Sequence, residues 1–294
     1  MGKRFLTAIP LILVVLAAFF IPGVFGQCIF TLFAIALLVG AVREAYALCG
    51  VPKISEYEIV TDAFGVLSLL GTIVMRNCNG WAVGLFAWDT LMGIIALLAT
   101  FCILFKRGLN QNELRNMGVW ALITITYAWS LMFLPKLYFL PGTHGALLIC
   151  FLVVVTKLSD IGAYFVGVTT AKLPGGNHKL APVVSPKKSW EGLAGGIAFS
   201  MLGAIIFKLA AGDKLCFDVC GFTHCAVTWI DTILLGLVAP TAGLLGDLAE
   251  SALKRIANAK DSGHLPGLGG VLDFLDSLMP MGALFYAWLL LKMI

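Results

Sequence analysis

Charge is what this chain has least of. Asp, Glu, Lys and Arg supply 12% of its 294 residues, against about 25% in an ordinary soluble domain. A water-facing globule of this size is thereby excluded. No polar stretch is long enough to fold as a separate soluble domain, so the chain reads as one integral-membrane domain over 1–294. Within it, 1–140 supplies N-terminal helices, and 144–294 supplies the helices and cytoplasmic loops that carry chemistry. No internal repeat is visible, which weighs against a transporter built from inverted halves. Paired CxxC spacing is also missing, so Cys216, Cys220 and Cys225 beside His224 read as a disulfide with one thiol left over rather than a zinc site. The other five cysteines (Cys28, Cys49, Cys78, Cys102 and Cys150) lie in or beside apolar runs as small core residues. Nothing in the charge pattern suggests nucleic acid.

What is present is apolar. Hydrophobic residues make up 60% of the chain and its mean hydropathy is +0.97. A bilayer-crossing helix needs roughly 20 apolar residues. Nine runs approach that length: 5–22, 28–46, 59–75, 82–105, 117–134, 144–168, 192–211, 227–250 and 270–291. The expected fold is all-α, a polytopic membrane protein of about nine transmembrane helices. With the N-terminus placed in the cytoplasm, fourteen of the 20 Lys and Arg fall inside and five outside, with Lys157 inside a span. That asymmetry supports a cytoplasmic N-terminus and puts every phosphate-competent loop on the inner side. The first run, between Met-Gly-Lys-Arg and Gly-Val-Phe-Gly-Gln, also has the look of a signal peptide. Its length and the charge parity favour a retained helix. Most tryptophans fall near span ends, as an aromatic belt requires.

Against this background, the stretch from Asp247 to Asp276 stands out. It holds Asp247, Glu250, Asp273 and Asp276, the cations Lys254, Arg255 and Lys260, and a hinge of Pro266, Gly267, Gly269 and Gly270. Ionisable groups at membrane depth are costly and signal function. Asp247, Glu250, Ser251 and Lys254 share one helical face, and Asp273 and Asp276 repeat the i, i+3 spacing. Oxygen ligands at this spacing beside clustered cations suit Mg²⁺ holding a polyphosphate. The plainer alternative is interhelical pairing that only staples the bundle.

A second polar group spans 160–192. Asp160 and Tyr164 share a face, and the following loop carries His178 and the lysines of Ser-Pro-Lys-Lys-Ser-Trp-Glu-Gly. Pro and Gly exclude a continuous helix there. The loop is either a phosphate-binding element or an ordinary cytoplasmic basic loop; Ser189 is placed to cap the next helix, assisted by Glu191. Glu44 beside Arg43 reads as a local pair, and Asp62, Asp89 and Asp231 read as isolated charges near interfaces.

These residues resemble the phosphatidate cytidylyltransferase (CDP-diglyceride synthase) family. Its pattern Ser-x-x-Lys-Arg-x4-Lys-Asp is met by Ser251, Lys254, Arg255, Lys260 and Asp261. The pattern Pro-Gly-His-Gly-Gly-x-x-Asp-Arg-x-Asp is met by Pro266, Gly267, Gly269, Gly270, Asp273 and Asp276. The DIGAYFVG and SPKKSWEG segments are similar too, so the likeness covers about the last half of the chain. Leu268 replaces the family histidine, Phe274 replaces its arginine, and the KDSGHLPG stretch is one residue short. The aspartates and lysines are kept, which marks a divergent active subclass.

The resemblance implies transfer of CMP from CTP to phosphatidic acid, at a site facing the cytoplasm of a bacterial inner membrane. It assigns Asp247, Asp273 and Asp276 to Mg²⁺, with room for a second metal ion. Lys187, Lys188, Lys254, Arg255 and Lys260 neutralise phosphates, Ser251 and Ser189 position them, and Asp160 and Asp261 orient substrate. Asp247, Ser251, Lys254, Asp273 and Asp276 form the catalytic set. Partners are CTP, phosphatidic acid and the lipid bilayer, with a second copy of the chain as a further candidate. A CTP-dependent isoprenoid-lipid kinase, an ether-lipid cytidylyltransferase and a cation-coupled secondary transporter are the alternatives.

Overall fold

The structure, a computed structural model, describes residues 13–21, 23–51, 55–78, 80–219, 222–225, 227–259, 261–263 and 269–293, with side chains at 213, 216–225 and 293 outside the description. Lys260, Pro266, Gly267, Leu268 and Cys220 therefore lie outside the described residues, as does most of the first expected span. Eight helical segments among the described residues are long and apolar enough to cross a bilayer, with Gln111–Tyr138 and Val271–Lys292 each counted as one. Of the run 5–22, residues 13–20 are helical; they are α1. The chain divides into two compact units, Met1–Pro141 with Ile256–Leu275, and Gly142–Arg255 with Asp276–Ile294.

The first unit contains α2 (Gly23–Leu48), α3 (Glu56–Met75), α4 (Trp81–Arg107) and α5 (Gln111–Ile123), then a π-helical turn Thr124–Trp129 and α6 (Phe133–Tyr138). Local sequence sets the ends. Ser55 accepts a hydrogen bond from the Glu58 amide and Asn110 accepts one from the Glu113 amide, each satisfying a donor that the first helical turn leaves free. Small residues set the spacing. The Trp88 indole packs on Gly71 and donates to the Leu67 carbonyl at 2.9 Å, and a Cβ on Gly65 would lie 2.5 Å from Leu38. Tyr46, Thr61 and Thr124 form a buried hydroxyl chain with separations of 3.0 and 3.1 Å. Outward faces are apolar, as lipid contact requires: Leu32, Val83, Phe86 and Ile125 are all exposed. The short helix α10 (Val271–Leu275) also belongs to this unit and packs on α2.

The second unit is built on α7 (Gly145–Thr170) and α8 (Trp190–Ala211), which run antiparallel and in contact. A Cβ on Gly162 would lie 2.5 Å from Phe199 Cβ and 2.7 Å from the Gly195 carbonyl; one on Gly195 would strike Val166. Backbones this close need glycine. Between these helices, β1 (Lys179–Ala181) pairs antiparallel with β2 (Ser185–Ser189). After α8, β3 (Cys216–Val219) pairs with β4 (Phe222–Cys225), with Cys216 opposite Cys225. The two hairpins are additions to the expected all-α fold. The unit closes with α9 (Trp229–Ile256, its last residue assigned to the first unit) and α11 (Leu278–Met293). The last expected span is thus not one helix: it breaks at Asp276 and Ser277.

Two charges expected to be isolated are paired, each pair with one buried member. Asp89 is bonded to Lys136. Asp231 binds Lys292, the Trp288 indole at 2.9 Å, and the amide and hydroxyl of Thr228 at 2.6 and 2.7 Å. A carboxylate at membrane depth is tolerable only with such compensation.

Candidate active site

In the second unit, α9 carries Asp247 and Ser251 one turn apart, so the Ser251 hydroxyl donates to Asp247 Oδ1 at 3.1 Å. The other carboxylate oxygen faces Lys188 of β2, with Oδ2 2.7 Å from Nζ. This is a charge contact rather than an aligned hydrogen bond. At Gly246 the helix backbone comes so close to the Asp276 carbonyl that any side chain would collide with it. The break before α11 thereby seats Asp276 against α9 beside Asp247. Asp276 Oδ1 accepts from the Ser277 amide at 2.5 Å. The Ser277 hydroxyl accepts from Lys157 at 3.1 Å, and Lys157 pairs with Asp160 at 3.3 Å. Asp160, Asp247 and Lys157 all act electrostatically on Asp276.

Three carboxylates (Asp160, Asp247 and Asp276) against two ammonium groups (Lys157 and Lys188) leave one net negative charge. That balance favours an added cation. Among the described residues, no three His, Cys, Asp or Glu side chains are arranged to hold an ion by themselves. Mg²⁺ does not need such a cage, because it commonly takes one or two carboxylates and completes its shell with water and phosphate oxygens. Asp247 and Asp276 fit that demand.

The basic residues are distributed around this cluster. Lys187 is exposed beside Lys188, and exposed Arg255 reaches back to the Val184 carbonyl at 3.5 Å. Lys254 instead pairs with the buried Glu250 one turn back on the same helix, at 3.4 Å, a contact within α9 and not the interhelical pairing of the plainer reading. Ser189 is the N-cap of α8: its hydroxyl is buried and accepts from the Gly192 amide at 3.1 Å. Capping uses a lone pair of the hydroxyl, and its O–H proton remains to donate to another acceptor. Glu191 takes the backbone amide and ring of His178, which fixes the loop between α7 and β1 to the start of α8. Tyr164 is exposed, with no tie to Asp160 among the described contacts.

The first unit holds Asp273 on α10. Its Oδ2 accepts from the Ser262 amide at 3.2 Å and lies 3.0 Å from the Ser262 hydroxyl. Asp261, next in the chain, is exposed. The reading of Glu44 as a local partner of Arg43 is corrected here. Arg43 pairs with Glu58 at 3.2 Å. Glu44 accepts from the Val271 and Leu272 amides at 2.9 and 3.0 Å and from the Ser262 hydroxyl at 3.0 Å. Glu44, Ser262, Lys157 and Ser277 are thus site residues that sequence reasoning passes over. Glu44 and Lys157 carry a signal, being charges inside apolar runs; the serines carry none.

Residues 2–292 match the model of the cytidylyltransferase family. Among curated proteins, the chain is 34% identical to a phosphatidate cytidylyltransferase of Bacillus subtilis over 67% of this chain and 66% of that one. To one from Haemophilus influenzae it is 39% identical over 50% of this chain and 48% of that one. A third, from Staphylococcus epidermidis, is 30% identical over 95% of both chains. The first two matches span less than two thirds of the relative's length, and the third nearly all of it. With the family model covering the chain almost from end to end, this protein belongs to the cytidylyltransferase family.

Proposed function

We propose that the chain transfers CMP from CTP to phosphatidic acid, giving CDP-diacylglycerol and pyrophosphate. The observation that carries this reading is the cluster in the second unit, where Asp247, Asp276 and Asp160 meet Lys157 and Lys188, in a chain whose relatives bear that activity in their names.

An oxygen of the lipid phosphate attacks the α-phosphorus of CTP. The bond from that phosphorus to the bridging oxygen breaks, and pyrophosphate leaves with the electron pair. A phosphate monoester is already anionic near neutral pH, so no strong base is needed. The obstacle is repulsion between two polyanions. A bound Mg²⁺ would supply positive charge against the triphosphate and the leaving pyrophosphate. Asp247 and Asp276 would hold such an ion, and the sequence motif separately assigns Asp273 to a divalent ion. Lys187, Lys188, Arg255 and Lys260 attract phosphates to the loop side. Ser251 orients Asp247, and Lys157 orients Asp160 and Ser277. Lys254 keeps the buried Glu250 neutralised. Much of the acceleration comes from holding the two phosphorus centres in line.

The site faces the cytoplasm of a bacterial inner membrane, where CTP is available, and draws lipid from the adjacent leaflet. The test is purified protein with phosphatidic acid, labelled CTP and Mg²⁺, with and without chelator. Nucleotide-bearing lipid that disappears with chelator supports the reading. Release of CDP with a phosphorylated prenol, or nucleotide left intact, overturns it.

A further inference from the structure

Glu44 projects from the second half of α2, more than two hundred residues from the motif in sequence, yet its carboxylate is entirely engaged by that motif. Oε1 accepts from the Val271 amide at 2.9 Å, and Oε2 from the Leu272 amide at 3.0 Å and the Ser262 hydroxyl at 3.0 Å. The two amides belong to the first turn of α10, whose donors have no partner within the helix. At five residues, α10 is too short to hold its own geometry. Its direction is therefore set by what grips it, and Glu44 grips its leading end.

The same carboxylate also engages Ser262, ahead of α10 in the chain. The Ser262 hydroxyl stands between Glu44 Oε2 and Asp273 Oδ2, 3.0 Å from each, and the Ser262 amide donates to Asp273 at 3.2 Å. Two glycines make the approach feasible. A Cβ on Gly270 would strike Glu44 Oε2 and the Ser262 hydroxyl, and one on Gly263 would strike Glu44 Oε1. A third, Gly269, has φ +84°, and a Cβ there would lie 2.5 Å from Asp273 Oδ2. Glycine at these positions is thus required by the packing of two carboxylates around one serine, as well as by the turn.

We propose that Glu44 is a positioning residue for the reaction: through Ser262 and the start of α10 it fixes the orientation in which Asp273 presents its carboxylate to a divalent ion. The inference rests on the functional reading above only for the ion's role; the geometry stands without it. Partners that orient a metal-ligating carboxylate typically affect metal affinity or activity by roughly 10- to 100-fold.

The test uses the full chain in detergent, with Mn²⁺ binding followed by electron paramagnetic resonance alongside thermal unfolding and steady-state kinetics. Glu44→Gln keeps the size of the side chain but turns a donor toward amides that need an acceptor. It should weaken Mn²⁺ binding by about 10-fold or more and lower kcat, while KM for phosphatidic acid stays as in the unmodified protein and the melting transition falls modestly with the lost bonds to α10. If Glu44→Gln folds and both its Mn²⁺ affinity and its kcat are unchanged, the proposal is overturned. If Glu44→Gln fails to fold, Ser262→Ala decides. Without the bridging hydroxyl, Mn²⁺ affinity should drop several-fold in a stable protein, and an unchanged affinity overturns the proposal. Mn²⁺ binding by neither the unmodified chain nor its variants overturns it as well. An unmodified chain that binds Mn²⁺ but makes no nucleotide-bearing lipid refutes the functional reading instead, and the binding comparison still decides the role of Glu44.

Discussion

Lys188 Nζ lies 2.7 Å from Asp247 Oδ2, so a lysine expected to meet phosphate and an aspartate expected to meet metal neutralise each other. The two cannot be held together and serve separate ligands at once. A divalent ion placed on Asp247 would compete with the ammonium group, and its arrival would free Lys188 for an anion.

Opposite signs in two measurements follow from this pairing. Lys188→Gln should tighten Mg²⁺ binding, because Asp247 loses a competitor, while raising KM for CTP. Asp247 is partly exposed, so the competing contact is worth about 0.5–1 kcal/mol, a factor of about two to five. Titration of Mg²⁺ at fixed CTP, then of CTP at saturating Mg²⁺, separates the two effects. Parallel losses in both would show that Lys188 does not compete for the carboxylate.

Asp276→Asn should abolish lipid product while leaving a folded membrane protein. The side chain accepts a bond from its neighbouring amide, and an asparagine oxygen can keep that bond. Only the charge is removed, and the expected loss in kcat is at least about 100-fold. Size-exclusion behaviour and the melting transition report folding, and the labelled-lipid assay reports activity. Substantial residual turnover would remove Asp276 from the catalytic set.

The seam between α7 and α8 should be intolerant of bulk. Gly195→Val places carbon against Val166 and, 2.9 Å away, the Gly162 carbonyl. Backbone must move, at a cost of about 1–3 kcal/mol or more. Thermal unfolding in detergent should show the drop, with Mg²⁺ affinity preserved in whatever protein remains folded at lower temperature. A variant as stable as the parent would mean that the helices are further apart than described.

Asp231→Ala should destabilise without touching chemistry. It strips Lys292, the Trp288 indole and Thr228 of a shared acceptor inside the bundle. Removing one partner of a buried pair costs about 3–5 kcal/mol; because Lys292 retains some exposure, the lower end applies. At a temperature where the variant is folded, kcat should match the parent, and a lowered kcat there would tie Asp231 to the reaction.

The sequence speaks plainly wherever one local rule decides. Apolar runs mark the spans from α2 to α11 because lipid selects for length and composition. Ser189 is legible as a cap because its bond is made three residues away. What escapes is set by partners distant in the chain. Asp89 and Asp231 look isolated because Lys136 and Lys292 lie 47 and 61 residues on. Glu44 looks like a mate for Arg43 until α10 is packed on α2. The break at Asp276 and Ser277 escapes for another reason: Leu, Met and Phe on either side make the run continuous to a hydropathy count, which cannot see where backbone bonding stops. Asp247, Asp276, Asp160 and Lys188 are the part of the expected site that the second unit gathers. Lys254 pairs with Glu250, and Ser189 caps α8.

The glycine seam described for α7 and α8 has a bearing on traffic in the leaflet. Two backbones separated by little more than hydrogen atoms leave no slot wide enough for a hydrocarbon tail. The helical pair is a wall with a mooring at one end, and the mooring is the hairpin from which Lys188 extends.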